Sequence, residues 1–439
     1  MKGRKSLLLT MLMSILWSGC AIITKPAINN ESITETPVSP TSITEEPTSL
    51  APATINIEPT ALSPSTVINT TETIQVCPKS DIQIPPSDSF GIPGTIVFQK
   101  GSLPGLYTVG GGPLIYSQLP VSDKQENFAF GFSSNGEWFA FSPLEFSPTN
   151  EIIFESPKIV LLSAAGARIE HTLSVESFSD ELQVEHRLQG FSGYSDWVNN
   201  TTIYTTLYSI NPNPNSTGQI AHLPKVFDPF AGVWREELLK DLPEDARMYA
   251  KGISPDMTRM LYMDGGGLFL KDLEQGVDIW HDKDLFAGFG ALMFWSPDSE
   301  TVAYANLFDL PNNRTVVLIS RNGIAKTIMG SSLSLSGLYV MDLRWSPDGH
   351  YLALLVAEDQ QLSVFIYDFA AEKYISQCPI AKYTDRSPKL IWSPDNKYLA
   401  YVALDYPLII MDIQSGEIVQ LADDARAVGW SDKFPAVWP

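Results

Sequence analysis

Three observations predict an all-β chain folded as a closed seven-bladed β-propeller of four-stranded antiparallel blades. A phrase of aromatic-Ser-Pro-Asp followed by an apolar stretch recurs over residues 91–439. A second phrase, Asp with Gly four residues later, alternates with the first. The two phrases are out of step at the chain ends in the way that closure by the C-terminal strand requires.

The chain begins with an address. Lys2, Arg4 and Lys5 form a basic start, and Leu7 to Trp17 form an apolar stretch too short to span a bilayer. Ser18-Gly19 then give small residues before Cys20. This resembles a bacterial lipoprotein signal. The resemblance implies a signal peptide over 1–19, lipid attachment at Cys20, and anchoring in the cell envelope through that lipid. Trp17 departs from the pattern, which usually has Leu or another small aliphatic there. The other reading is an ordinary secretory signal, and both export the chain.

Residues 20–90 follow as a tether. From 21 to 76 the chain is rich in Thr, Ser, Pro, Glu and Asn and contains no aromatic, so no core can form and disorder is expected. As a coil it would hold the next domain roughly 40 Å from its anchor, with an upper bound of roughly 170 Å in polyproline II extension. The third region, 91–439, is the propeller.

Within it, Phe294-Trp-Ser-Pro-Asp298, Arg344-Trp-Ser-Pro-Asp348 and Ile391-Trp-Ser-Pro-Asp395 each lead into an apolar run containing Ala303, Ala353 or Ala400. Ile253-Ser-Pro-Asp256 is a weaker copy, and Phe132-Ser-Ser-Asn135 keeps the pattern ahead of Ala140. Trp197 to Tyr204 is degenerate, and Gly429-Trp-Ser-Asp432 is a truncated last copy. The chemistry is that of turns. Serine opens the turn, proline presets φ, aspartate bonds back to the backbone, and Gly, Asn or Ser tolerates the dihedral that follows. Apolar flanks on both sides make each copy a β-hairpin. The recurrent alanines suit positions where a neighbouring sheet packs closely.

The alternating phrase marks outer hairpins at Asp228 to Gly232, Asp272 to Gly276 and Asp412 to Gly416. Asp368 to Glu372 has the same spacing without glycine. Ser163 to Gly166 and Ser320 to Gly323 are shorter versions, and Gly110-Gly111-Gly112 holds the equivalent place at the start. The first outer hairpin precedes any inner one, and the last inner hairpin has no outer one after it. A ring in which the C-terminal strand completes the N-terminal blade resolves this and leaves no open edge. Seven blades need roughly 50 residues each, slightly above the 40–45 usual for propeller repeats. Loops around 142–152, 180–190 and 207–224 take up the excess.

The Trp-Ser-Pro-Asp segments at Trp295, Trp345 and Trp392 resemble the WD40-like Pro-Asp repeats of the TolB propeller domain and of prolyl oligopeptidase-type propellers. The resemblance covers residues 91–439. It implies the fold and an exported location, and transfers no function, because these residues build turns.

Net charge is −21, which excludes nucleic acid as a partner for want of cationic surface. With 32 prolines and 29 glycines the composition favours a loop-rich β protein. Cys77 and Cys378 are either a disulfide tying the tether's end to the domain or two independent residues. No Gly-x-Ser-x-Gly elbow is present; Gly190-Phe-Ser-Gly193 is followed by Tyr194. The five histidines have no metal-ligand spacing, and there is no twelve-residue calcium loop. No catalytic residue, metal or cofactor is therefore expected, and the chain reads as a non-enzyme.

One constellation stands out. Segments entering the inner strands line the channel mouth and hold Arg247, Tyr249, Tyr339, Asp342, Arg344, Asp385, Arg386 and Arg426. Arginines gathered on one rim of so acidic a protein suit a carboxylate, sugar or acidic peptide. The competing reading pairs them with neighbouring acids. The function expected is an exported, lipid-anchored binding or scaffolding module for an envelope or extracellular protein, peptide or glycan. The alternative is a propeller enzyme, glycosidase or lyase in type, using carboxylates at the channel mouth.

Overall fold

The structure, a computed structural model, describes residues 75–76, 91–100, 105–120, 126–146, 152–153, 158–173, 187–191, 195–210, 220–235, 238–240, 242, 252–264, 267–283, 285, 291–305, 314–330, 339–358, 361–382, 389–402 and 407–439. Seven sheets, each with four strands in meander order, make seven blades. Their inner strands are Ala425–Ser431, Glu126–Phe132, Asp196–Trp197 with Arg187–Phe191, Gly252–Ile253, Leu292–Trp295, Tyr339–Trp345 and Lys389–Trp392, for blades one to seven. Contacts between successive inner strands run around the ring from blade four through blades five, six, seven, one and two to blade three. The apolar cluster of Tyr204, Val226, Ile253, Met260 and Tyr262 joins blade three to blade four.

Closure is as the repeats require. Ala425–Ser431 pairs antiparallel with Ile92–Lys100, so the last strand is the inner strand of the first blade. The tail beyond it reaches blade two, where Phe434 packs on Phe132 and Phe139 and the Trp438 indole donates to the Ser163 carbonyl.

The motif turns form for the reason their residues give. The serine hydroxyls of Ser254, Ser296, Ser346 and Ser393 donate to the aspartate two residues on, at 2.5–2.7 Å. The same aspartates accept the backbone N–H of Thr258, Glu300, His350 and Lys397. The residue after the aspartate takes the left-handed conformation: φ is 65° at Ser299, 73° at Gly349 and 62° at Asn396. Asp228, Asp272 and Asp412 cap the outer hairpins in turn, each accepting two backbone N–H groups.

The motif tryptophan fastens one blade to the one before it. The indoles of Trp197, Trp295, Trp345 and Trp392 donate to the carbonyls of Gly131, Gly252, Phe294 and Arg344, at 2.7–3.0 Å. Each acceptor precedes the residue that holds the motif position of the previous blade. Ala140, Ala303, Ala353 and Ala400 are fully buried in the apolar seams between blades.

Some expectations change. All three of the supposed long loops are partly strand: blade three carries Arg187–Phe191, Ile203–Ile210 and Ile220–Asp228, and blade two carries Trp138–Phe146. These longer strands account for part of the excess length per blade. Cys378 is buried and disulfide-bonded. Its expected partner, Cys77, lies outside the described residues. So do the signal peptide, Cys20 and all of the tether except Gln75–Val76, which adds a parallel fifth strand to the edge of blade six through Ser376 and Gln377.

Candidate functional site: a charged cluster in the channel

Alternation along a strand decides what faces the channel. In blade six Leu343 and Trp345 enter the core, so Asp342 and Arg344 take the opposite face. In blade seven Leu390 and Trp392 are core, which turns Lys389 the other way. In blade one Ala425 and Ala427 are buried and Arg426 lies between them. Irregular register recurs along these inner strands: between Val340 and Asp342 in blade six, and opposite Val97 and Phe98 in blade one. The inner strand of blade three is broken into two pieces, the second beginning at Asp196. Such irregularities re-aim side chains and are common beside functional sites.

These strands bring five charges together. The Arg344 guanidinium donates through Nε to Asp342 Oδ2 at 3.2 Å and through Nη1 to Asp196 Oδ2 at 3.0 Å. Asp196 belongs to blade three and Arg344 to blade six, so this ion pair crosses the channel. The guanidinium also lies 4.2 Å over the Phe294 ring of blade five, a cation–π contact. Asp342 is held on its other side by the Leu390 N–H, at 2.8 Å.

The two carboxylates differ. The Asp342 side chain is 5% exposed and that of Asp196 50%, with Arg344 between them at 22%. Burial opposes the charge on Arg344, but Asp342 and Asp196 outweigh it and raise its pKa. For Lys389 the balance goes the other way. Burial, followed by the charges of Arg344 and Arg426, brings its pKa down to about 8, with Asp342 and Asp196 acting the other way. Burial alone lowers that of Arg426, and among the described residues no carboxylate pairs with it. Among the described residues the cluster holds three cations and two carboxylates, in a chain of net charge −21. Guanidinium and ammonium groups gathered in a partly buried place suit an anionic ligand.

Three of the eight residues expected at the channel mouth, Asp342, Arg344 and Arg426, belong to this cluster. The cluster differs from the expected rim of arginines, because Arg344 is already paired with acids. Those acids are Asp342, two residues away in the chain, and Asp196 across the channel. Arg247, Tyr249, Asp385 and Arg386 lie outside the described residues, as does the side chain of Tyr339. Sequence reading missed Lys389, Asp196 and Phe294, although the repeat carries the signal for them. Lys389 stands three residues before Trp392, as Asp342 does before Trp345. Asp196 and Phe294 stand one residue before Trp197 and Trp295, as Arg344 does before Trp345.

No family model and no curated protein matches the chain. Solved structures similar to it include an oligogalacturonate lyase in complex with manganese, at 13% identity and TM-score 0.44, covering 76% of this chain and 86% of that one. A second oligogalacturonate lyase, from Vibrio parahaemolyticus, has 12% identity and TM-score 0.43 over the same shares. The dihydro-heme d1 dehydrogenase NirN in complex with DHE has 12% identity and TM-score 0.43, covering 79% of this chain and 76% of that one. Such similarity concerns the fold. The expectation of a non-enzyme is corrected all the same: missing motifs exclude no activity, and one fold carries enzymes and binding modules alike.

Proposed function

We propose that the chain is an exported propeller that takes a carboxylate-bearing sugar at the channel cluster and acts on it as a lyase-type enzyme. The observation that carries this is the gathering of Arg344, Lys389 and Arg426 inside an acidic protein, with Lys389 brought down to about 8. A guanidinium neutralises the carboxylate of the sugar and stabilises the charge that develops when the neighbouring C–H is broken. Neutral Lys389 accepts that proton, the electron pair forms a C=C bond, and the β C–O bond breaks as its oxygen leaves with a proton from solvent. A base with a pKa close to the working pH suits this role.

The glycosidase form is less well supported. Both acids of the cluster, Asp196 and Asp342, are engaged by one guanidinium, which suits charge balance better than the independent acid and base of glycoside hydrolysis. A second reading keeps the site and drops the turnover: a binding module for an acidic glycan or peptide. The Arg344–Asp196 pair, which spans the channel and engages the guanidinium, favours it. In either form, the lipid at Cys20 and the tether would present the propeller from a membrane surface.

Incubating the purified propeller with uronate-containing oligosaccharides separates the readings. Growth of ultraviolet absorbance from an unsaturated product, abolished in Lys389→Met, is the result expected of the enzyme. Calorimetric binding without new absorbance supports the module, and neither signal overturns both.

A further inference from the structure

We infer that Asp196 is a built-in competitor, its carboxylate occupying the place on Arg344 that the carboxylate of the ligand takes. This rests on the reading of the cluster as an anion site and adds how that site is kept occupied and how it opens. The argument is the asymmetry of the two acids around one guanidinium. Asp342 is 5% exposed, hydrogen-bonded to the Leu390 N–H and bound to Arg344 Nε. Together with the Phe294 ring beneath the guanidinium it fixes Arg344 from blades five, six and seven.

Asp196 approaches from the far side of the channel with a side chain 50% exposed, and it reaches Nη1 alone. Its other oxygen accepts the Trp197 N–H at 2.8 Å, a contact with its own neighbour that does not depend on Arg344. Releasing Asp196 therefore leaves Arg344 oriented and costs only a partly solvated pair, which is weak compared with a buried one. An incoming carboxylate that replaces it gains the same Nη1 contact together with the fields of Lys389 and Arg426. An uncharged ligand gains no such exchange. Asp196 thus selects for anionic ligands by setting the charge that a ligand must bring.

Titrating wild type, Asp196→Asn and Arg426→Met with glucuronate, and with glucose as the uncharged control, tests this. Asp196→Asn is expected to bind glucuronate roughly three- to tenfold more tightly than wild type, with glucose unchanged. Arg426→Met is expected to lose glucuronate binding. Asp196→Asn binding no better than wild type, while Arg426→Met still loses binding, overturns this inference and leaves the site reading intact. No binding of glucuronate by any of the three proteins overturns both. Asp196→Ser serves as a second variant, and failure of both Asp196 variants to fold overturns the inference by making Asp196 a structural brace.

Discussion

Lys389 illustrates how a residue acquires its chemistry from neighbours that are remote in sequence. An ordinary lysine is a cation well above neutrality; this one is desolvated beside Arg344 and Arg426, and its pKa is brought down to about 8. The unfolded chain therefore holds a proton between about pH 8 and 10.5 that the folded chain lacks. Stability should rise with pH across that window and lose this dependence in Lys389→Met, as measured by urea midpoints against pH. Binding of an anion should move in the opposite direction, weakening as pH rises through about 8 and the ammonium is lost. Arg426 cannot lose its charge in that range, so it sets a floor beneath the decline.

The turns form a second level of organisation, because the motif tips also join blade to blade. The backbone N–H of Asp256 donates to Ser299 Oγ, that of Asp348 to Asn396 Oδ1, and that of Asn135 to Asn200 Oδ1. Each acceptor lies on the tip of the next blade. Blade six has Gly349 at this position, with φ of 73° and no side chain to accept from Asp298 of blade five. A Cβ there would meet Pro297 at 3.5 Å, an ordinary contact. Gly349→Asn should therefore supply the missing latch and stabilise the protein by about 0.5–1 kcal/mol in chemical denaturation, since asparagine tolerates the left-handed region.

At the scale of the whole molecule, the ring depends on its last strand. Ala425, Ala427, Trp430 and Phe434 are buried against blades one, two and seven. Burial of each large apolar side chain contributes about 1.5–3 kcal/mol, and the strand also pairs with Ile92–Lys100 along six residues. A chain ending at residue 424 exposes the edge of the first blade and loses a sum comparable with the about 5–15 kcal/mol that holds a domain folded. Such a chain should show no single cooperative transition in calorimetry and a collapsed near-ultraviolet circular dichroism signal. The channel cluster should be lost with it, because Arg426 lies on that strand.

Sequence alone determined the hairpins, their number and the closure of the ring. Turn chemistry is local: Ser296, Asp298 and Glu300 need only one another, and repetition turns seven weak local signals into a count. The missing outer hairpin at one end and the missing inner one at the other then pointed to closure by the C-terminal strand. Tertiary structure decided which charges meet. Asp196 and Arg344 are 148 residues apart and come together only because closure sets blade three across the channel from blade six. Lys389 looks like any surface lysine until Arg344 and Arg426 crowd it, and the strand irregularities that help aim these side chains leave no mark in the motif itself. Local hydrogen bonding specifies the blades. The electrostatics of the channel exist only once the ring brings distant strands within a few ångströms.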